Sequence, residues 1–165
     1  MKFYRDEDIL EILNRIDDVC DDFAGKSVVI TGARGFLGRY FIEIFKHLND
    51  SRLAKPVRVI AIDNFITAGD YGNAIIEDQN IKFIQHDVIQ PLTVTQKIDY
   101  IIHAAGIASP QYYQKYPLET LQVAINGTKN MLELAREKNS RFIFFSSRSE
   151  EHTSELQSLA YLVCR

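Results

Sequence analysis

Cysteine is scarce in this sequence. The two cysteines, Cys20 and Cys164, lie far apart and form neither a disulfide pattern nor a metal-binding one. A small scaffold held together by disulfides or zinc is therefore not expected, and we predict no metal site. A chain that does without disulfides suits a reducing compartment, so we expect a cytoplasmic protein.

Long apolar runs are also missing. No stretch approaches the ~18 residues that a membrane span needs, so no membrane partner is expected. The segment Met1–Asp8 carries acidic residues where a signal peptide would turn apolar, so no signal peptide is predicted there. The formal net charge of −3 and a sequence pI near 5.8 argue against a nucleic-acid partner.

A glycine motif, Thr31-Gly32-Ala33-Arg34-Gly35-Phe36-Leu37-Gly38, follows an apolar run and precedes a helical pattern. Gly32 permits a tight turn off the strand, Gly35 leaves the backbone open to a pyrophosphate, and Gly38 allows the helix to pack close. The helix start offers free N–H groups and a positive dipole end to phosphates. The order strand, glycine turn, helix therefore predicts a dinucleotide-binding site rather than a plain turn.

Apolar patterning divides the chain into alternating helices and strands, which predicts an α/β fold with a doubly wound parallel sheet of Rossmann type. We divide the chain into an N-terminal amphipathic helix in residues 1–24, a partial dinucleotide-binding domain in 25–147, truncated after about the fifth strand, and a tail in 148–165. Helices are predicted over 6–23, 36–48 and 118–137. Strands are predicted over 26–31, 57–63, 81–85, 100–106 and 141–145. The fourth of these strands ends in the small residues 104–106. The last helix is expected to be mostly buried.

A carboxylate, Asp63, ends the second predicted strand, where such folds hold the adenosine ribose hydroxyls. Its negative charge would repel a ribose phosphate and so favours NAD over NADP. Arg34 in the glycine loop acts in the opposite direction, because a cation there could accept that phosphate. The alternative role for Asp63 is that of a turn carboxylate at a strand end. His103, at the end of the fourth strand, is predicted to be a hydrogen-bonded histidine without a catalytic role.

The motifs together resemble the extended short-chain dehydrogenase/reductase family, the NAD-dependent epimerases and dehydratases. The resemblance covers Lys26–Ser147, and within the family it is greatest to UDP-glucuronate decarboxylases, the UDP-xylose synthase group. It rests on the glycine loop, Asp63-Asn64-Phe65, His86-Asp87-Val88 with Pro91-Leu92, His103-x-Ala105, Ala108-Ser109-Pro110, Gly127-Thr128 and Ser146-Ser147.

The resemblance implies a bound NAD and a nucleotide-sugar substrate, with oxidation to a 4-keto sugar, loss of carbon dioxide and re-reduction. Asp87 would accept the adenine amino group, Val88 would pack on the ring, and Ser147 would hydrogen-bond the reacting oxygen. The implied cofactor-binding residues are Gly32, Ala33, Arg34, Gly35, Phe36, Leu37, Gly38, Asp63, Asn64, Asp87, Val88, Ala104, Ala105, Gly106 and Ser146. The alternatives are a dTDP-glucose 4,6-dehydratase, a UDP-sugar 4-epimerase and a non-catalytic NAD(P)-binding module.

The family's catalytic Tyr-x-x-x-Lys pair does not occur in this sequence; the nearest form is Tyr161-x-x-x-Arg165, and arginine does not replace lysine there. From Arg148 onward the resemblance ends, and Arg148–Ser158 matches an in-frame translation of a sequencing-library adapter. We therefore expect a non-native tail and a chain that is inactive by itself. A homodimer is possible, with the Leu118–Glu137 helix as the candidate face.

Overall fold

A computed structural model describes residues 5–67 and 78–146, and these form a five-stranded parallel sheet with helices on both faces. The strands are β1 (Ser27–Thr31), β2 (Arg58–Asp63), β3 (Ile81–Gln85), β4 (Tyr100–His103) and β5 (Arg141–Phe144). Their spatial order is β3-β2-β1-β4-β5. The predicted doubly wound parallel sheet is confirmed.

β1 is the central strand and all five of its residues are buried. Val28 pairs with Val59 on one side and with Tyr100 on the other, which fixes the register of the three central strands. Successive side chains of a strand point to opposite faces. Val28 and Ile30 accordingly belong to one apolar core, and Val29 belongs to the other. This double burial explains the unbroken apolar run.

The first core lies under the N-terminal elements and the helix α2 (Phe36–Ser51). The predicted N-terminal helix is divided: α1 spans Asp6–Arg15 and a 3₁₀ helix spans Asp17–Phe23. Aspartate has a weak helix propensity, and four aspartates fall in this second part. Arg52 binds the carboxylates of Asp17 and Asp21 and the Asp17 carbonyl oxygen, so the tighter turn is held against the end of α2.

The second core lies under the helical segment that was predicted as one helix over 118–137. This segment consists of α4 (Pro117–Gln122), a π turn (Val123–Gly127) and α5 (Thr128–Lys138). A short helix, α3 (Pro110–Lys115), precedes it. Val123, Met131, Leu134 and Ala135 are buried, whereas Leu121, Ile125 and Leu132 are exposed. The expectation of a mostly buried helix was wrong, because the sheet covers only one of its faces. No helix among the described residues is long and apolar enough to cross a membrane.

Candidate functional site

A cleft opens at the carboxyl ends of β1, β2 and β4, and its empty space, including the part open to solvent, is about 490 Å³. β1 is the point where the order of strands reverses, since the chain runs outward to β2 and β3 and then returns to β4 on the other side. Open α/β sheets bind ligands at such switch points. Eight of the predicted cofactor-binding residues line the cleft: Gly32, Gly35, Asp63, Asn64, Val88, Ala104, Ala105 and Gly106.

The floor of the cleft is the turn between β1 and α2. Gly32 has φ +67°, a conformation that side-chain-bearing residues rarely adopt, and a Cβ there would lie 2.6 Å from the Ala104 carbonyl oxygen. A Cβ on Gly38 would lie 2.2 Å from the Gly32 carbonyl oxygen. Ala33 and Gly38 are buried beneath the turn, whereas Phe36 and Leu37 are exposed at the start of α2. The tight turn predicted at Gly32 and the close helix packing predicted at Gly38 are therefore both present.

The N-terminus of α2 faces the cleft. Its N-cap is Gly35, and no side chain of the described residues caps the helix there. The first amides of a helix have no partner within it. Gly35 itself is exposed and lines the cleft. The arrangement presents backbone N–H groups and the positive end of the helix dipole, a combination that suits an anion.

Asp63 ties β2 to the glycine turn. One carboxylate oxygen accepts the Arg34 amide at 2.8 Å, and the other accepts the Phe65 amide at 2.8 Å. Phe65 has φ +62°, which is unusual for a bulky residue and marks a strained loop at the cleft. Asp63 therefore does act as a turn carboxylate at the end of its strand, which was the alternative role considered for it. A carboxylate has about four acceptor positions, so two amides leave capacity for a ligand.

Arg34 is buried at the side of the glycine turn. Its guanidinium carbon lies 4.5 Å from the centroid of the Phe83 ring and 5.6 Å from that of Phe65. Burial and the charge of Arg39 lower the pKa of Arg34, and the charge of Asp63 acts in the opposite direction. Its side chain also lines a second hollow next to the cleft, with Phe36 and Arg39. Sequence reasoning did not anticipate this aromatic stacking.

The residues after β3 form the far wall. Asp87 accepts a hydrogen bond from the Asn64 side-chain amide at 3.0 Å and one from the Ile89 backbone at 3.1 Å. Val88 is buried, and a Cβ on Gly127 would lie 2.8 Å from its Cγ2. Gly127 lies within the π turn and packs closely on Val88. π turns often occur at functional sites.

The near wall is Ala104–Gly106, which follows β4. His103 is fully buried beneath it, with Nδ1 2.6 Å from the Thr31 hydroxyl and Nε2 3.2 Å from the Thr128 hydroxyl. Burial lowers the pKa of His103 to about 4, so the ring is neutral near neutral pH. The predicted hydrogen bonding of His103 is confirmed. The part that Thr31 plays was missed, because its hydrogen bonds join residues more than 70 positions apart.

Two predicted residues lie at or beyond the end of β5. Ser146 is exposed and is not among the residues that line the cleft. Ser147 and the tail 148–165 lie outside the described residues. Within the described ranges, no group of three or more His, Cys, Asp or Glu side chains is placed to hold a metal ion.

Comparison with known proteins shows which protein family has this architecture. A sequence model of the NAD dependent epimerase/dehydratase family matches residues 28–155. The chain belongs to the NAD-dependent epimerase/dehydratase family. It is 36% identical over 156 residues to UDP-glucuronic acid decarboxylase 2 of Arabidopsis thaliana, which covers 90% of this chain and 33% of that protein. The chain spans about a quarter to a third of the length of the curated relatives it matches.

Solved structures of epimerase/dehydratases share the fold. A UDP-N-acetylglucosamine 4-epimerase from Methanobrevibacter ruminantium superimposes with a TM-score of 0.64 at 24% identity, over 86% of this chain and 45% of its own. The dTDP-glucose 4,6-dehydratase of Streptomyces venezuelae, solved with NAD bound, gives a TM-score of 0.58 at 21% identity, over 70% of this chain and 38% of its own. At this level of identity the likeness concerns the fold.

Proposed function

We propose that this chain binds NAD in the cleft and forms the dinucleotide-binding part of a nucleotide-sugar enzyme of the UDP-glucuronate decarboxylase type. One observation carries the proposal: the bare backbone of Gly32 and Gly35 meets an N-terminus of α2 that no described side chain caps, with Asp63 beside it. The decarboxylase relatives, at 32–37% identity among the first seven, support the substrate class.

The glycine turn fits a pyrophosphate. Gly35 is exposed and lines the cleft, so a side chain there would occupy the surface that a phosphate must approach. Amides at a helix start bind phosphate oxygens, and the helix dipole favours the negative charge. We assign the pyrophosphate to this turn.

The two walls fit the remaining parts of a dinucleotide. Asp63 has acceptor capacity left for the adenosine ribose hydroxyls after binding its two amides. On the side of β3, Asp87 and Val88 are assigned to the adenine. On the side of β4, the small residues Ala104–Gly106 leave room for the nicotinamide ribose to lie against the backbone.

The chemistry follows from the family. When bound, NAD supplies a reversible hydride acceptor for a sugar hydroxyl. This chain's residues bind and orient the dinucleotide, and Ser147 is assigned to hydrogen-bond the reacting oxygen. Proton transfer is assigned to a Tyr-x-x-x-Lys pair, which the printed sequence does not contain. The complete reaction is therefore proposed for a polypeptide that carries that pair.

Calorimetric titration of the 165-residue chain with NAD tests the proposal. We expect saturable binding, and we expect Gly35→Ala to weaken it roughly tenfold with little change in the unfolding midpoint. A folded chain with no saturable uptake would refute the site. For the reaction, a polypeptide that contains this sequence together with the pair is expected to release carbon dioxide from UDP-glucuronate. Dehydration of dTDP-glucose or epimerisation of a UDP-sugar would reassign the substrate, and no turnover would favour a non-catalytic module.

Asp63 is expected to set the preference for NAD over NADP. A ribose phosphate next to this carboxylate would meet like charge, so Asp63→Asn should raise the ratio of NADP to NAD affinity about tenfold. The measurement is the dissociation constant of each nucleotide. Asp50→Asn removes the same charge from an exposed position at the end of α2 and should leave the ratio unchanged. A wild-type chain that prefers NADP would contradict this assignment.

A homodimer is proposed through the exposed face of α4 and α5. Leu118, Leu121, Ile125 and Leu132 are 71%, 57%, 58% and 43% exposed and follow one another at three-, four- and seven-residue steps. A row of exposed apolar side chains along a helical segment marks an interaction surface, and we assign it to the seam between the two copies. Ile125→Glu is expected to shift the chain to monomer in sedimentation velocity, whereas Gln122→Glu, an exposed neighbour given the same charge, should not. Identical sedimentation of wild type and Ile125→Glu would refute the seam.

A further inference from the structure

A buried chain of hydrogen bonds runs beneath the near wall of the cleft. The Ala105 amide donates to the Thr31 hydroxyl oxygen at 3.2 Å, and that oxygen lies 2.6 Å from His103 Nδ1. His103 Nε2 lies 3.2 Å from the Thr128 hydroxyl at the start of α5. Thr31 and His103 are both 0% exposed. The chain joins the exit of β4, the end of β1 and α5.

Counting donors and acceptors fixes the direction of this chain. The Thr31 oxygen already accepts the Ala105 amide, and its single hydroxyl hydrogen needs an acceptor. Within the described residues the structure gives the Thr31 hydroxyl no partner besides Ala105 and His103. Nδ1 must therefore accept, which places the ring hydrogen on Nε2, from where it donates to Thr128. The opposite tautomer would leave the Thr31 hydrogen buried without an acceptor, at a cost comparable to a lost hydrogen bond.

The peptide between Ala104 and Ala105 is held from two sides. The Thr31 hydroxyl accepts the Ala105 amide of this peptide, while the Thr31 main-chain oxygen accepts the Ala104 amide of the peptide before it at 3.2 Å. On the other side, Gly32 lies so close that an added Cβ would be 2.8 Å from the Ala105 nitrogen. This peptide begins the segment that lines the cleft. Its position thus depends on which way the Thr31 hydroxyl points.

We propose that His103 is a positioning residue for the dinucleotide. Nδ1 of His103 accepts the Thr31 hydroxyl hydrogen and so fixes the orientation of that hydroxyl. Through Thr31, His103 fixes the position of the Ala104–Gly106 wall, against which the dinucleotide lies. This inference rests on the proposed function. Its Nε2–H anchors the same wall to α5 through Thr128. The aligned donors polarise one another, so the loss of one bond weakens the next.

Affinity for NAD in matched threonine variants tests the proposal. In the 165-residue chain, Thr31→Val removes the hydroxyl, keeps the side-chain shape and is expected to raise the dissociation constant roughly threefold to tenfold. Thr31→Ser restores the hydroxyl and should return to within about twofold of wild type. Thr120→Val removes a hydroxyl whose one hydrogen bond among the described residues is to the carbonyl of Tyr116, just before α4, and it should change nothing. His103→Phe should weaken binding as Thr31→Val does.

Long-range nitrogen–proton NMR of the His103 ring provides a test that needs no variant. The expected result is a neutral ring protonated at Nε2, and a ring protonated at Nδ1 would overturn the relay even if Thr31→Val does not fold. Wild-type binding with an unchanged dissociation constant in folded Thr31→Val would overturn the positioning role alone. Absence of NAD binding by wild type, with the Nε2–H ring present, would instead overturn the proposed function.

Discussion

Gly38→Ala is expected to lower the free energy of unfolding by about 3 kcal/mol or more. The added methyl group would lie 2.2 Å from the Gly32 carbonyl oxygen and 2.7 Å from the Ala33 Cα. Both are main-chain atoms of the turn that leaves β1, and they cannot move without shifting α2 away from the sheet. Ala33 is fully buried, so no free space is available around the turn to absorb the shift.

An opposing effect must be weighed against this clash. Alanine within a helix is more favourable than glycine by about 1 kcal/mol, so a substitution in open space would stabilise α2. Overpacking against main-chain atoms costs more than that gain. Gly127→Ala is the matched comparison, because its Cβ would lie 2.8 Å from a side-chain atom, the Val88 Cγ2, rather than from main-chain atoms.

Urea unfolding of the two variants separates these effects. Gly127→Ala should stay within about 1 kcal/mol of wild type, since a side-chain adjustment is offset by helix propensity. Gly38→Ala should also lose NAD binding, because the turn that holds the pyrophosphate would move with α2. Equal unfolding midpoints for Gly38→Ala and wild type would show that the turn tolerates a side chain and would contradict the packing argument.

The turn between β1 and α2 was predictable because its causes are local. A buried strand, three glycines at three-residue steps and a helical pattern lie within one short stretch, and each glycine has its own steric reason. The parallel sheet was predictable for a similar reason: alternating strands and helices require crossovers, and apolar strands such as β1 must be covered on both faces.

The contacts that complete the cleft were not predictable, because they join distant parts of the chain. The Asp63 carboxylate could be assigned to a ribose or to a turn, but no spacing rule shows that it binds the Arg34 amide 29 positions away. The stacking of Arg34 on Phe83 and the relay from Thr31 to His103 depend on strand register. Register is set by the whole sheet, not by a motif.

The long helix after β4 shows another limit of periodicity. Its apolar residues suggested a mostly buried helix, yet Leu121 and Ile125 face outward while Val123 and Met131 face the sheet. A sequence pattern counts apolar residues but does not say which partner covers each face. The π turn adds to this, since it changes the angular position of every residue after Val123 relative to a regular helix.

Acidification is expected to destabilise the fold through His103. Burial lowers its pKa to about 4, against an ordinary value of 6.5, so the folded chain binds fewer protons than the unfolded chain between these two pH values. Stability should therefore fall as the pH drops below about 6.5 and keep falling until about pH 4. Between pH 7 and pH 4.5 the expected loss from this residue is roughly 2 kcal/mol.

His103→Gln isolates this contribution, because the amide can still donate and accept but does not titrate. Burial alone would raise the pKa of Asp99, but hydrogen bonds from Lys97 and the Ser27 amide and the charges of Lys97 and Lys26 leave it below its ordinary value. Asp99 therefore adds a loss of stability at low pH in both proteins.

The quantity to compare is the change in unfolding free energy between the two pH values, which should be about 2 kcal/mol larger in wild type. Equal changes would mean that His103 is not held neutral beneath the cleft. A larger change in wild type would show that the ring supporting the Ala104–Gly106 wall stays uncharged at neutral pH, the state that Thr31 requires for its hydrogen bond.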